Sequence, residues 1–192
     1  VPQNRLSKNS KVVCFMGTNG GWVPKDLLDG EDYNKNLEIL IGQYKYIADY
    51  VGINNVLFLG FYMTAAIDQT IAADRIVRWK YFEDRMVAEF GNRYLSVRQY
   101  LREKGWKDAG YQLGYRLTSK GYTLLAADIA EDKQAIADGR IPYCVVGNSS
   151  GVHLTTRASA CVANQVAKRL FELGDVSELK QIDVSAISDG LN

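Results

Sequence analysis

The sequence predicts an α/β domain built on a mostly parallel sheet with flanking helices. Three observations point there. The apolar runs Val12–Met16 and Asn55–Phe61 show no polar alternation, as in strands covered on both faces. Segments with helical spacing follow each of them. Glycines stand where those helices should stop, at Gly52, Gly91 and Gly174. Strand and helix in alternation give a sheet whose strands run the same way.

Taken in order, residues 1–11 are polar and read as a linker or tail, without the apolar core of a signal peptide. The chain does not start with Met, so a fragment or a processed product is expected. Val12–Met16 is the first strand, and 17–32 a loop containing Trp22 and Pro24. From Asn36 to Tyr50, Leu37, Leu40, Ile41, Tyr44, Ile47 and Ala48 fall on one helical face. Asn55–Phe61 is the second strand. Ile76–Phe90 is a helix carrying Ile76, Trp79, Phe82, Met86 and Phe90 in register. Arg93–Val97 is a short third strand, and Arg98–Lys104 a short helix ended by Gly105.

Trp106–Ala127, rich in tyrosine and glycine, has no clean period and reads as an irregular insertion. Asp128-Ile-Ala-Glu131 has the spacing of a capping box opening a helix to Asp138. Tyr143–Val146 reads as a strand, Ala158–Leu173 as the last long helix, and 175–192 as a loose extension. The expected organisation is therefore a linker over 1–11, one domain over 12–174 and an extension over 175–192.

Composition narrows the function classes. With 192 residues, 47% hydrophobic, the chain can bury a sizeable core in one domain. A net charge of +1 and no Lys/Arg cluster leave no electrostatic footprint for nucleic acid. No apolar run approaches the roughly 18 residues of a membrane span. Cys14, Cys144 and Cys161 are an odd set among apolar neighbours and read as buried thiols rather than a disulfide. One histidine and three scattered cysteines match no common metal-ligand spacing, and no cofactor motif is present.

Two stretches carry the candidate chemistry. Gly17-Thr18-Asn19 follows the first strand, where an Asn amide can face a cleft and hold a developing oxyanion; an ordinary turn is the competing reading. His153, the single histidine, lies between small polar residues and a helix start. Near neutral pH an imidazole is the simplest general base. Gly147-Asn-Ser149-Ser-Gly151 satisfies the nucleophile-elbow pattern, yet that mechanism needs a histidine far downstream and none exists. Asp128, Glu131 and Asp132 cluster and are expected to serve helix capping and solvation.

Together these residues resemble the SGNH (GDSL-type) hydrolases, Ser-His ester hydrolases on a flavodoxin-like sheet. The family's Gly-x-Asn-Asp motif stands here as Gly17-Thr18-Asn19-Gly20, and its Asp-x-x-His motif as Ser150-Gly151-Val152-His153. Stretches from Tyr81 through Leu101, and Glu131–Lys133 through Gly139–Pro142, look like members attached to phage-tail and gut-bacterial proteins. The likeness runs from about residue 12 to 173.

The resemblance implies an acyl esterase, acting on acylated carbohydrate, with no cofactor and an extracellular or virion-associated setting. Catalytic roles fall to His153, Asn19 and Gly17, and substrate contacts to Trp22 and Ser150. Two departures stand out: Ser150 replaces the motif's Asp, and the family's Gly-Asp-Ser strand has no counterpart before Val12.

In the flavodoxin-like order the absent strand neighbours Val12–Met16, which would otherwise be an open sheet edge. The expected partner is therefore the missing N-terminal portion as a separate chain, adding about two strands, with a homo-oligomer and a carbohydrate or acyl-ester substrate as further partners. The alternative is a domain rebuilt around a shorter sheet. For function the alternative is a decayed module for glycan binding or assembly, its tyrosines in 106–122 stacking on sugars.

Overall fold

Helical spacing in the sequence becomes two long helices, and its apolar runs become short parallel strands. The computed structural model describes residues 10–16, 30–62, 69–118, 120–147 and 153–189. The chain falls into two compact units, Val1–Phe61 with Lys80–Leu95 and Tyr62–Trp79 with Ser96–Asn192.

The first unit is α/β. β1 (Val12–Cys14), β2 (Val56–Leu59) and β3 (Tyr94–Leu95) form a three-stranded parallel sheet in the order β1-β2-β3. Val13 stands beside Leu57, and Phe58 beside both Cys14 and Tyr94. The connections are α1 (Gly30–Val51) and, in part, α2 (Gln69–Phe90). Both pack against Phe58, whose ring centroid lies 5.1 Å from Tyr44 of α1 and 4.4 Å from Phe90 of α2. Phe61 stacks on Phe82 at 4.9 Å. Leu37, Leu40, Ile41, Tyr44, Ala48 and Val51 form the buried face of α1, the stripe that periodicity predicts apart from Ile47, which is half-buried. Lys45–Glu89 at 2.7 Å, together with Arg85–Glu38, ties the two helices side by side.

Gly60 extends β2. Its N–H donates to the Leu95 carbonyl at 2.9 Å, and a Cβ there would stand 2.2 Å from the Tyr94 hydroxyl oxygen. Only glycine lets the tyrosine cross at that point.

One expectation is corrected here. β1 is not covered on both faces: Val13 is 44% and Phe15 49% exposed. β1 lies at the sheet edge, and among the described residues no strand pairs with its outer side. β2, inside the sheet, is buried throughout, as its apolar run requires.

The second unit departs further from the sequence reading. The helix after β3 does not stop at Gly105. α3 (Val97–Tyr100) passes through a π-helical turn, Leu101–Gly105, into α4 (Trp106–Asp108). A Cβ on Gly105 would meet Leu101 Cδ2 at 2.9 Å, so the glycine serves packing rather than termination. The supposed irregular insertion contains an antiparallel hairpin, β4 (Tyr115–Thr118) with β5 (Gly121–Leu124).

α5 (Ala126–Ala137) begins two residues before Asp128, and its N-cap, Leu125, supplies no side-chain cap. The capping-box reading is therefore wrong. Tyr143–Val145 is a 3₁₀ turn rather than a strand, and Val146 makes only an isolated antiparallel bridge to Leu154. α6 (Thr156–Glu172) starts at Thr155, whose hydroxyl accepts from Ala158 N–H at 3.1 Å. The 175–189 segment is not loose; it is pinned to α6 by the contacts described below.

Candidate functional site

His153 lies in the turn that leads into α6. Its carbonyl accepts from Gly147 N–H at 2.8 Å, and Thr155 N–H donates to Val145 at 2.8 Å. With the Val146–Leu154 bridge, these bonds hold the backbone of Val145–Gly147 beside that of His153–Thr155. Gly147 is pressed so close that a Cβ would lie 3.1 Å from the Leu154 carbonyl oxygen. The turn holds the His153 backbone while the residue as a whole is exposed.

Tyr62, three residues beyond β2, hydrogen-bonds through its hydroxyl to the Leu154 backbone. Burial pushes the Tyr62 phenol above its ordinary pKa, and the Leu154 bond pulls it partly back. The phenol therefore stays neutral near pH 7 and fixes the residue that follows His153. Sequence reading gave no reason to single out Tyr62, because its partner Leu154 is distant in the chain.

Gly17, Asn19, Trp22 and Ser150 lie outside the described residues, as do Ser149 and Gly151. His153 is thus the one predicted site residue that the structure places.

The cysteines are all free and buried. Burial raises the Cys14 thiol to about 11, and it pushes up Cys144 and Cys161 as well. None is a thiolate near neutral pH, so none is an activated nucleophile. Among the described residues no cluster of His, Cys, Asp and Glu has the makings of a metal site. No described helix is long and apolar enough to cross a membrane.

Two buried carboxylates organise the second unit. Asp132, with no exposed surface, accepts from Gly114 N–H at 2.6 Å, Tyr143 N–H at 2.7 Å and Arg116 Nη1 at 3.1 Å. Arg116 also reaches Glu131 at 3.0 Å and lies 5.0 Å from the Tyr143 ring centroid. Burial alone would lower the guanidinium pKa; the Asp132 and Glu131 carboxylates outweigh it and hold it up. This corrects the expectation of capping and solvation for the acidic cluster: it clamps β4 to α5.

Asp189, with a side chain 1% exposed, sits at the start of α6. It accepts from Arg157 N–H at 3.0 Å and Tyr122 Oη at 2.7 Å, and it also bonds Tyr111 Oη. Tyr111 in turn bonds Thr155 Oγ1 at 2.7 Å, so the α6 cap and this carboxylate share one network. Burial, then Asp189, pushes the Tyr111 phenol up; burial brings Tyr122 to about 12. Nothing in the sequence singles out Asp189, which stands in a stretch without periodicity.

Scans against family models and searches of curated proteins and solved structures found no match to this chain.

Proposed function

We propose that this chain is part of an SGNH-type ester hydrolase that removes acyl groups from a carbohydrate, its attacking serine supplied from outside these 192 residues. The observation that carries the reading is the unpaired outer side of β1: among the described residues no strand pairs there, Val13 is exposed on the strand, and Phe15 and Met16 are exposed just beyond it. Soluble proteins avoid such edges, and a flavodoxin-like sheet would continue past β1 with the strand that bears the serine. Exposed His153 on a fixed turn before α6 is the second support.

In this mechanism the incoming serine Oγ attacks the ester carbonyl carbon. His153 takes the hydroxyl proton and passes it to the departing alcohol, leaving an acyl-enzyme. Water, deprotonated by the same imidazole, then releases the acid. The Asn19 amide and the Gly17 N–H hold the tetrahedral oxyanion, each worth about 3 kcal/mol of barrier lowering. Trp22 and Ser150 contact the substrate. With Ser150 in the place of the motif's Asp, the imidazole works as a Ser-His pair without that carboxylate.

The test is hydrolysis of a short-chain nitrophenyl ester by the complete assembly. His153→Ala is expected to lower kcat by about 10³-fold or more and Asn19→Ala by about 10²-fold. An unchanged rate in His153→Ala overturns the mechanism.

The sequence feature favouring the second reading, a decayed binding module, is that same Ser150. Its aromatic platform has little support: Tyr111 is buried, and the Tyr111 and Tyr122 hydroxyls are both engaged by Asp189. A strand whose serine position holds an apolar residue beside His153 would favour the module.

A further inference from the structure

The stretch after α6 is held in an unusual way. Its apolar side chains are part-buried and none is fully covered: Val176 and Leu179 are each 38% exposed, Ile182 is 49% exposed, and Val184 and Ile187 are half-buried. It is fixed instead by polar contacts that read its backbone. The Asn164 side chain donates to the Ile182 carbonyl at 2.9 Å and accepts from Ile182 N–H at 2.7 Å. Arg157 Nε donates to the Ile187 carbonyl at 2.8 Å. Asn164 and Arg157 are seven residues apart, two turns along one face of α6. Beyond them the Asp189 carboxylate enters the pocket made by Tyr111, Tyr122 and the Arg157 N–H.

A helix face that satisfies both backbone groups of one residue, satisfies a carbonyl further on and then takes a carboxylate has the features of a peptide-docking surface. The segment is also shaped for the role. Asp183 accepts from Ser185 N–H at 3.0 Å, folding 184–186 into a 3₁₀ turn that sets the distance between the two reading points. Because none of its apolar residues is among the fully buried ones, the segment can leave without opening the core.

We propose that α6 and the β4–β5 hairpin form a docking surface for an acidic segment with a central 3₁₀ turn, occupied in cis by residues 182–189, which the same segment of a second copy can replace. No covalent step is involved, and the proposal does not depend on the hydrolase reading. Exchange of an identical element costs little, since every contact made in cis is remade in trans.

The experiment uses the full chain and a fluorescein-labelled synthetic peptide of residues 181–189, followed by anisotropy. In the wild-type chain the tethered segment competes at an effective concentration of order millimolar, so binding is weak. Ile182→Pro removes the N–H that Asn164 accepts from, and it loosens the cis segment while leaving the receptor intact. Peptide is expected to bind this chain about tenfold tighter than wild type.

Adding Asn164→Ala to that chain, or using a peptide with Asp189→Asn, is expected to reverse the gain. The full chain carrying Asp189→Asn, with its backbone unaltered, serves as a second loosened variant. Equal affinity of the unmodified peptide for wild-type and both loosened chains would overturn the proposal. So would binding that survives both Asn164→Ala and the substituted peptide.

Discussion

The two units are held together by opposite means. In the first, aromatic rings gather around one strand residue: Phe58 meets Tyr44 and Phe90, while Phe61 meets Phe82. In the second, peripheral segments hang on two carboxylates, Asp132 and Asp189, both withdrawn from water and surrounded by donors. Apolar burial is non-directional and tolerates repacking, whereas a buried carboxylate fixes its partners one by one. The first arrangement suits a rigid sheet that carries residues on its edge. The second suits segments whose attachment depends on charge, such as the hairpin and the 182–189 stretch.

The comparison breaks most visibly at Phe58. Phe58→Ala removes the ring that α1 and α2 share and is expected to cost about 4 kcal/mol in urea unfolding of the chain. A loss below about 1 kcal/mol would mean that the rings do not hold the first unit together.

Asp132 comes next. Asp132→Asn keeps the volume and one acceptor but removes the charge facing Arg116. It is expected to cost about 2 kcal/mol, a loss that moderate salt does not reproduce in wild type because the carboxylate is sequestered from screening ions. Loosening should centre on β4 and α5 and be seen as faster amide exchange of Gly114 and Tyr143. Unchanged exchange there would show that the clamp is dispensable.

The smallest expected effect concerns alkali. Cys14 holds its proton up to about pH 11 in the folded chain against an ordinary value of 9.0. A raised folded pKa gives stability that is complete below the unfolded value and lost as pH climbs from about 9 to about 11. Cys14→Ser should flatten the decline in stability over that interval, and an unaltered slope would show that Cys14 does not contribute.

Legibility in the sequence follows the same division. The first unit was readable because apolar periodicity and apolar burial are one phenomenon: the α1 stripe and the β2 run were both identifiable. The open edge beside Val12–Met16 was expected from the resemblance; what could not be read was that β1 is not covered on both faces, with Val13 44% exposed. Val12–Met16 and Asn55–Phe61 look alike locally, and only pairing distinguishes them. The second unit was read poorly because its organising interactions have no period. The hairpin strands are four residues each and lie near the surface, so neither announces itself. Asp132 was noticed, yet local spacing offered a capping role, while its true partners Gly114 and Arg116 lie in another element. His153 was singled out because it is the single imidazole. Tyr62 and Asp189 act through contacts distant in the chain, which no local motif encodes.

The central claim is that the acylated nucleophile comes from outside these 192 residues and depends on His153. Labelling of the complete assembly with a fluorophosphonate, followed by mass spectrometry of the modified peptide, addresses it directly. The account predicts one modified serine on an added strand, with labelling abolished by His153→Ala. Modification of Ser149 or Ser150 in this chain, or labelling indifferent to His153, would contradict it.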